Sequence, residues 1–422
     1  MLNILRVQSK DLYIGMFVSG LDREWLGTPF LTQGFYINST EDIEQVRQYC
    51  EYVLVDARKS RYLASDLNIN TYRRRPIPLE GSKLDDRPRL APEQIFHNRP
   101  IEPYRDDTVW EEEHPMAQQA VDTLLKDIND IYSQVVEGGN IDVIKLKKSV
   151  DPIVASITRN PDACLWVSRL KQHDEYTYQH SLGAAIWSVS LGRQLGLPKR
   201  DLRSLAMGCL LMDVGKLQVD PELLQTTREL NLEEIAQIAS HVGYGLDILQ
   251  QSGITNPDVI DMVAHHHERF DGSGYPDGLK EDKIPTFARI AAIVDTYNAV
   301  TSKRGYAEAI SPPEAIKLLY NSRDLDFQAE LVEAFIQAVG IYPAGTLVEL
   351  SSGEVAVVVA EYRAKRLRPK VMVLLDADKN KLENSVIVDL REAAEDDDIP
   401  ALSIVRGLDP GAYEIDLTGI QF

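Results

Sequence analysis

From Met116 to about Gly340, apolar residues recur at three- and four-residue spacing, the period of helices that bury one face. AVDTLLKDINDIYSQVV is the plainest amphipathic stretch. Further helices are predicted near 142–158, 176–195, 199–211, 232–251, 257–267, 286–302, 312–321 and 327–339, with Pro198, Pro257 and Pro285 at or just before their starts. The period differs on either side. FVSG at 17–20 and VLVD at 53–56 are short strand-like runs, and EDIEQVRQYC after Ser39 and Thr40 begins like a capped helix, so residues 1–75 read as a small α+β N-terminal domain. After Tyr342 and Pro343, TLVEL, EVAVVVAEY and VMVLLD alternate or run as strands, which makes 341–422 a β-rich C-terminal extension. Residues 76–115 hold seven prolines and many charges, the composition of a linker or an irregular wrap ahead of a helical domain at 116–340. EAAEDDD at 392–398 suits a solvated acidic loop, and no internal repeat is found.

Composition narrows the function. At 422 residues, two or three domains are expected. A net charge of −20 repels nucleic-acid polymers and anionic membranes, so an anionic small ligand needs a locally positive or metal-bearing pocket. No uncharged apolar run is long enough to span a bilayer, and MLNILRVQSKDLY lacks a secretory pattern. The scattered cysteines, Cys50, Cys164 and Cys209, fit reduced thiols in the cytoplasm better than a disulfide frame or a zinc cluster.

The histidines show where chemistry is to be sought. Five of eight (His180, His241, His265, His266, His267) fall between 180 and 267. His180 opens HSLGAAIWSVSL, apolar nearly all round and hence buried. Asp213 sits in GCLLMDVGKL and Asp295 in RIAAIVDTYNAV, again among apolar neighbours. Buried carboxylates are costly unless paired, hydrogen-bonded or bound to metal, and a metal serves all three residues at once. Singly, each has a plainer role. His180 could be a satisfied core residue, and Asp213 could cap a turn ahead of Gly215. Asp295 could pair with Arg289 or Arg304, and His241 could lie on the surface of its helix. HHHERFDGSGYPDGL at 265–279 shifts the balance. Consecutive helix residues point about 100° apart, so adjacent histidines converge only where a helix ends, and Asp271, Gly272, Gly274 and Pro276 supply that end. The stretch is neither HExxH nor a dinucleotide fingerprint.

The ordered set His180, MDVGK at 212–216, His241, HHERFDGSGYP at 266–276, Asp295 and Arg304 strongly resembles the HD-GYP family, bacterial phosphodiesterases that open cyclic di-GMP. The resemblance covers roughly 170–340; IGMFV, DREWLGTPF and VLVD also resemble the small domain often found ahead of such modules. It implies an HD-type metal-dependent phosphohydrolase core with two divalent ions (Fe, Mn or Mg). Asp213 would bridge both, His180 and Asp295 would complete one, and His241, His266 and His267 would bind the other. Lys216 would hold the scissile phosphate, and Gly274, Tyr275 and Arg304 would line the dinucleotide site. A GGDEF-domain protein is an implied partner through the GYP loop.

The chain departs from the family pattern in several places. Met212 stands where the family has the His of its His–Asp pair, and a thioether is a poor ligand for these ions. Asn298 replaces a usual Asp, and Tyr176 stands where some members carry a Glu for a third ion, so none is expected here. Gly305 replaces a usual Pro and Ala307 a usual basic residue. Two readings follow: an active phosphodiesterase, and a degenerate module that binds the dinucleotide or a partner without cleaving. The retained ligand residues, Lys216 and the GYP loop favour the enzyme.

Overall fold

The computed structural model describes residues 4–12, 14, 16–22, 35–37, 40–56, 89–97, 99–170, 176–226, 228, 230–302, 309–362, 367–391, 402–415 and 417. DREWLGTPF beyond Asp22, the EAAEDDD segment, Arg304, Gly305 and Ala307 lie outside them.

The N-terminal unit is a four-stranded antiparallel sheet of β1 (Ile4–Gln8), β2 (Phe17–Leu21), β3 (Phe35–Tyr36) and β4 (Tyr52–Asp56) in the order β1-β4-β2-β3, with helix α1 (Thr40–Tyr49). Alternation places Val53 and Val55 inward, and Ile43 and Val46, three apart on α1, join them with Val7 and Val18 in a separate small core.

The helical body begins earlier than Met116. Helix α2 runs over Trp110–Val136, through Pro115. Its first turn carries Glu111, Glu112 and Glu113, which favour the positive end of the helix dipole. Trp110 packs edge-on against Trp166 with centroids 6.2 Å apart, and Glu113 pairs with Arg159. These tertiary contacts hold the turn despite the amide hydrogen that proline lacks. Residues 89–97 and 99–108 lie along the body. Arg99 pairs with Asp201 at 2.8 Å and with Asp258 at 2.7 Å, its guanidinium 4.5 Å from the Phe287 ring centre. Glu102 N–H donates to Gly196 O and the Tyr104 hydroxyl to Leu197 O.

Next come α3 (Val143–Arg159), α4 (Pro161–Leu170), α5 (Tyr176–Gln194), α6 (Lys199–Leu211), α7 (Leu232–Ala239), α8 (His241–Gln251), α9 (Pro257–His265), α10 (Thr286–Thr301), α11 (Pro312–Asn321) and α12 (Ala329–Val339). Helices α5, α6, α9 and α10 form the centre of the main core, and α5 and α10 are buried on nearly all sides, as their lack of a polar face requires.

Strands β5 (Leu347–Leu350), β6 (Val355–Ala360), β7 (Lys370–Leu375), β8 (Lys381–Asp389) and β9 (Ile404–Gly407) make an antiparallel sheet in the order β8-β7-β6-β5-β9. Both of its faces are covered, which explains the unbroken VAVVVA. Val355, Val357 and Val359 belong to the main helical core, while Ala356 and Val358 face a second cluster with Val371, Val373 and Leu390. The fold is thus multidomain and mainly helical, with an N-terminal α+β unit and a β-rich C-terminal part. No helix among the described residues is long and apolar enough to cross a membrane.

Candidate metal centre

Asp213 stands where α6 ends and a 3-10 turn, Val214–Gln218, begins. The turn directs its carboxylate into the body, where it is 3% exposed. Gly215 makes this possible: a Cβ there would lie 1.9 Å from His241 O, so the turn packs directly on the start of α8 and brings His241 to Asp213. His241 is therefore fully buried and not on the surface of an amphipathic helix. His265 ends α9, and the chain turns away at His266, so His266 and His267 both point inward. His265 faces elsewhere, with Nδ1 3.7 Å from an Asp277 carboxylate oxygen.

Two buried groups share Asp213. Asp213, His241, His266 and His267 form one; His180, Asp213 and Asp295 form the other, and the ligand-type atoms of each lie within 4.8 Å of one another. Asp213 Oδ1 is 3.5 Å from His241 Nε2 and 3.7 Å from His266 Nε2, and those two nitrogens are 3.5 Å apart. The opposite oxygen, Oδ2, is 2.7 Å from Lys216 Nζ and 3.9 Å from His180 Nε2. Asp295 Oδ1 lies 2.8 Å from His180 Nε2, while Arg289, one of the arginines suggested for it, donates to Gln328 and Thr286; the other, Arg304, lies outside the described residues.

Hydrogen bonds behind the rings orient the first group. His241 Nδ1 donates to Ile238 O at 2.7 Å, and His266 Nδ1 faces Met262 O and Val263 O, each at 3.1 Å. With Nδ1 carrying the hydrogen, both Nε2 lone pairs point at Asp213 and at each other. His267 has neither ring nitrogen hydrogen-bonded, although it is only 2% exposed. Burial, with the Lys216 charge nearby, pushes His241 down to about 3, and burial beside the other rings holds His267 well below its ordinary range. Both rings are neutral at pH 7. Burial by itself would raise Asp213, but the Lys216 ammonium and the His266 and His241 rings outweigh it and hold the carboxyl well below the usual carboxylate range. Crowded lone pairs, an anionic carboxylate and an orphaned buried imidazole fit a divalent cation, which would relieve all three.

The loop after His267 is built to hold this arrangement. The Tyr275 ring stacks on His267, with centroids 4.7 Å apart and planes 19° from parallel, and the Tyr275–Pro276 peptide is cis. Gly274 is packed against backbone: a Cβ would stand 2.4 Å from both Arg269 N and His267 O. Buried Glu268, which motif reading passed over, accepts from Asp277 N at 2.8 Å and from Leu279 N at 2.9 Å and so staples the loop to the end of α9. Its place inside the HHE run was the available signal. Met212 is fully buried in the main apolar core beside Asp213.

Helical architecture and a His/Asp centre of this kind define an HD-type phosphohydrolase. A family model described as an HD domain matches residues 165–331, a domain of unknown function matches 4–146, and a KOW domain associated with the HD domain matches 347–414. The chain is 32% identical over 398 residues to a cyclic di-GMP phosphodiesterase of Pseudomonas aeruginosa, covering 93% of this chain and 91% of that one. It is therefore a member of the HD-GYP family. Shorter matches include a cyclic di-GMP phosphodiesterase response regulator of Xanthomonas campestris, 35% identical over 35% of this chain and 39% of that one. Another is a 3'3'-cGAMP-specific phosphodiesterase of Vibrio cholerae, 32% identical over 38% of this chain and 31% of that one.

Proposed function

We propose that this chain is a metal-dependent phosphodiesterase that hydrolyses cyclic di-GMP. The observation that carries the reading is Asp213, a buried carboxylate shared by two ligand groups, in one of which the buried His267 ring has neither nitrogen hydrogen-bonded. His241, His266, His267 and Asp213 would hold one ion, and His180, Asp213 and Asp295 the other. Bound there, Fe, Mn or Mg supplies Lewis acidity toward phosphoryl oxygens and a strong nucleophile at neutral pH. Lys216 lies on the Asp213 carboxylate with its side chain 26% exposed, within reach of an entering phosphate whose charge it would meet. Tyr275 would form a wall of the nucleotide site, with its ring fixed on His267; Gly274 supports that wall, and Arg304 is assigned to the site by resemblance. The exposed tip of the loop at Pro276 and Asp277 is the surface offered to a GGDEF-domain partner. The three scattered cysteines suit a reducing cytoplasm.

The test is turnover of cyclic di-GMP and of 3'3'-cGAMP by protein loaded with Mn or ferrous iron. Cyclic di-GMP hydrolysis is expected. Cleavage of 3'3'-cGAMP alone would reassign the substrate, and no cleavage by fully loaded protein would leave only the binding-module reading.

Met212→His is expected to raise affinity for the ion assigned to His180, Asp213 and Asp295 at least about tenfold, the lower bound of what even an outer-shell partner is worth. Metal titration of the apoprotein checks this, and unchanged affinity and turnover would show that position 212 does not limit the centre.

A further inference from the structure

The three oriented histidines of the centre are not oriented alike. His241 and His266 each have Nδ1 against backbone carbonyl oxygens. His180 has Nδ1 against the side-chain amide of Asn298, with Nδ2 2.9 Å away. An amide can in principle be turned to offer its oxygen instead. Here the same Nδ2 lies 2.9 Å from His180 O, a group that can only accept. Turning the amide would set oxygen against oxygen at that distance and lose both hydrogen bonds. Asn298 is 4% exposed, so no water shell softens the exchange.

We propose that Asn298 is a positioning residue that fixes the His180 ring with its hydrogen on Nε2, and thereby makes the His180–Asp213–Asp295 half of the centre the weaker ion site. An amide donor at Nδ1 requires a lone pair there, so the ring hydrogen sits on Nε2 and is donated to Asp295 Oδ1, 2.8 Å away. This hydrogen bond closes the pair: the nitrogen and the carboxylate oxygen that would bind the ion are bound to each other. To take an ion, the ring must move its hydrogen to Nδ1, and the Asn298 amide must then give up its bonds. The other half needs no such exchange, because the Nε2 lone pairs of His241 and His266 are already turned inward. The two ions are thus predicted to bind in sequence, first with His241, His266 and His267, then with His180 and Asp295.

This inference rests on the metal-centre reading, but its readouts are the ring and the ion, so it can fail or stand independently of turnover. In apoprotein with nitrogen-15-labelled histidine, long-range proton–nitrogen correlation should give His180 the signature of a ring protonated on Nε2. Mn titration of the apoprotein, followed by electron paramagnetic resonance, should resolve a tight and a weak class of site. Asn298→Asp, which offers Nδ1 an acceptor, should strengthen the weak class roughly tenfold or more and leave the tight class in place. A wild-type His180 ring protonated on Nδ1 overturns the proposal even if the variant fails to fold. Folded N298D with an unchanged weak class also overturns it.

Discussion

Asp213→Ala is expected to remove ion binding from both halves of the centre and to lower turnover by at least about a thousandfold. Asp213 is the one carboxylate common to both ligand groups, with Oδ1 toward His241 and His266 and Oδ2 toward His180. Without it, the first group keeps only imidazole nitrogens, and the second keeps one carboxylate already hydrogen-bonded to His180. Lewis-acid stabilisation of a phosphoryl transition state is worth several kcal/mol, and each 1.36 kcal/mol is a decade in rate, so about three decades is a floor. The fold should survive the change. Removing the carboxylate strands no buried charge, because the Lys216 side chain is 26% exposed and can be solvated. Metal analysis, circular dichroism and single-turnover hydrolysis of D213A check the three parts separately. A folded variant that retains two ions would refute the shared role of Asp213.

Much of this centre could be read along the chain because burial of charge is visible there. His180, Asp213 and Asp295 stand out as polar residues in segments with no polar face, and the structure brings all three together. His241 was ambiguous, since its burial depends on a contact between the 3-10 turn and α8 that only Gly215 permits. Nothing in the local period of α8 encodes that contact. Gly274 was assigned to the ligand from its motif, whereas its surroundings are backbone atoms of the same loop. Close approach of two backbones leaves no trace in a pattern of apolar and polar residues. Asn298 could be recognised as a departure, but its effect lies in which of its atoms meets His180, and that takes coordinates. The strand and helix periods located most of the elements, but they passed over α4 and read α7 and α8, which break at Ser240, as one helix near 232–251. The start of α2 was missed because residues 76–115, with their seven prolines and many charges, read as a linker or irregular wrap, and the contacts that override that reading come from Trp166 and Arg159, far along the chain.

That override can be measured. Arg159→Ala is expected to cost about 3 kcal/mol at pH 7, the lower end for breaking a buried pair, because the Arg159 side chain is 34% exposed and its partner not at all. Glu113 is fully buried and takes two hydrogen bonds from the guanidinium, at 2.7 Å and 2.8 Å. Burial pushes its carboxyl up, but Arg159, with Ser156 and Thr108, pulls harder, and the net direction is down. A carboxyl depressed on folding stabilises above its unfolded value, near 4.3, and that contribution is lost as pH falls through the folded value. In the variant the main opposing partner is gone, burial dominates, and the sign reverses: Glu113 destabilises at neutral pH and is relieved as it takes up a proton. The gap between wild type and variant should therefore be widest near pH 7 and should shrink toward pH 4, which urea unfolding midpoints at the two pH values will show. A gap under about 1 kcal/mol, or one independent of pH, would mean that Trp110 packing alone holds the first turn of α2 and that the Glu113–Arg159 pair is incidental to it.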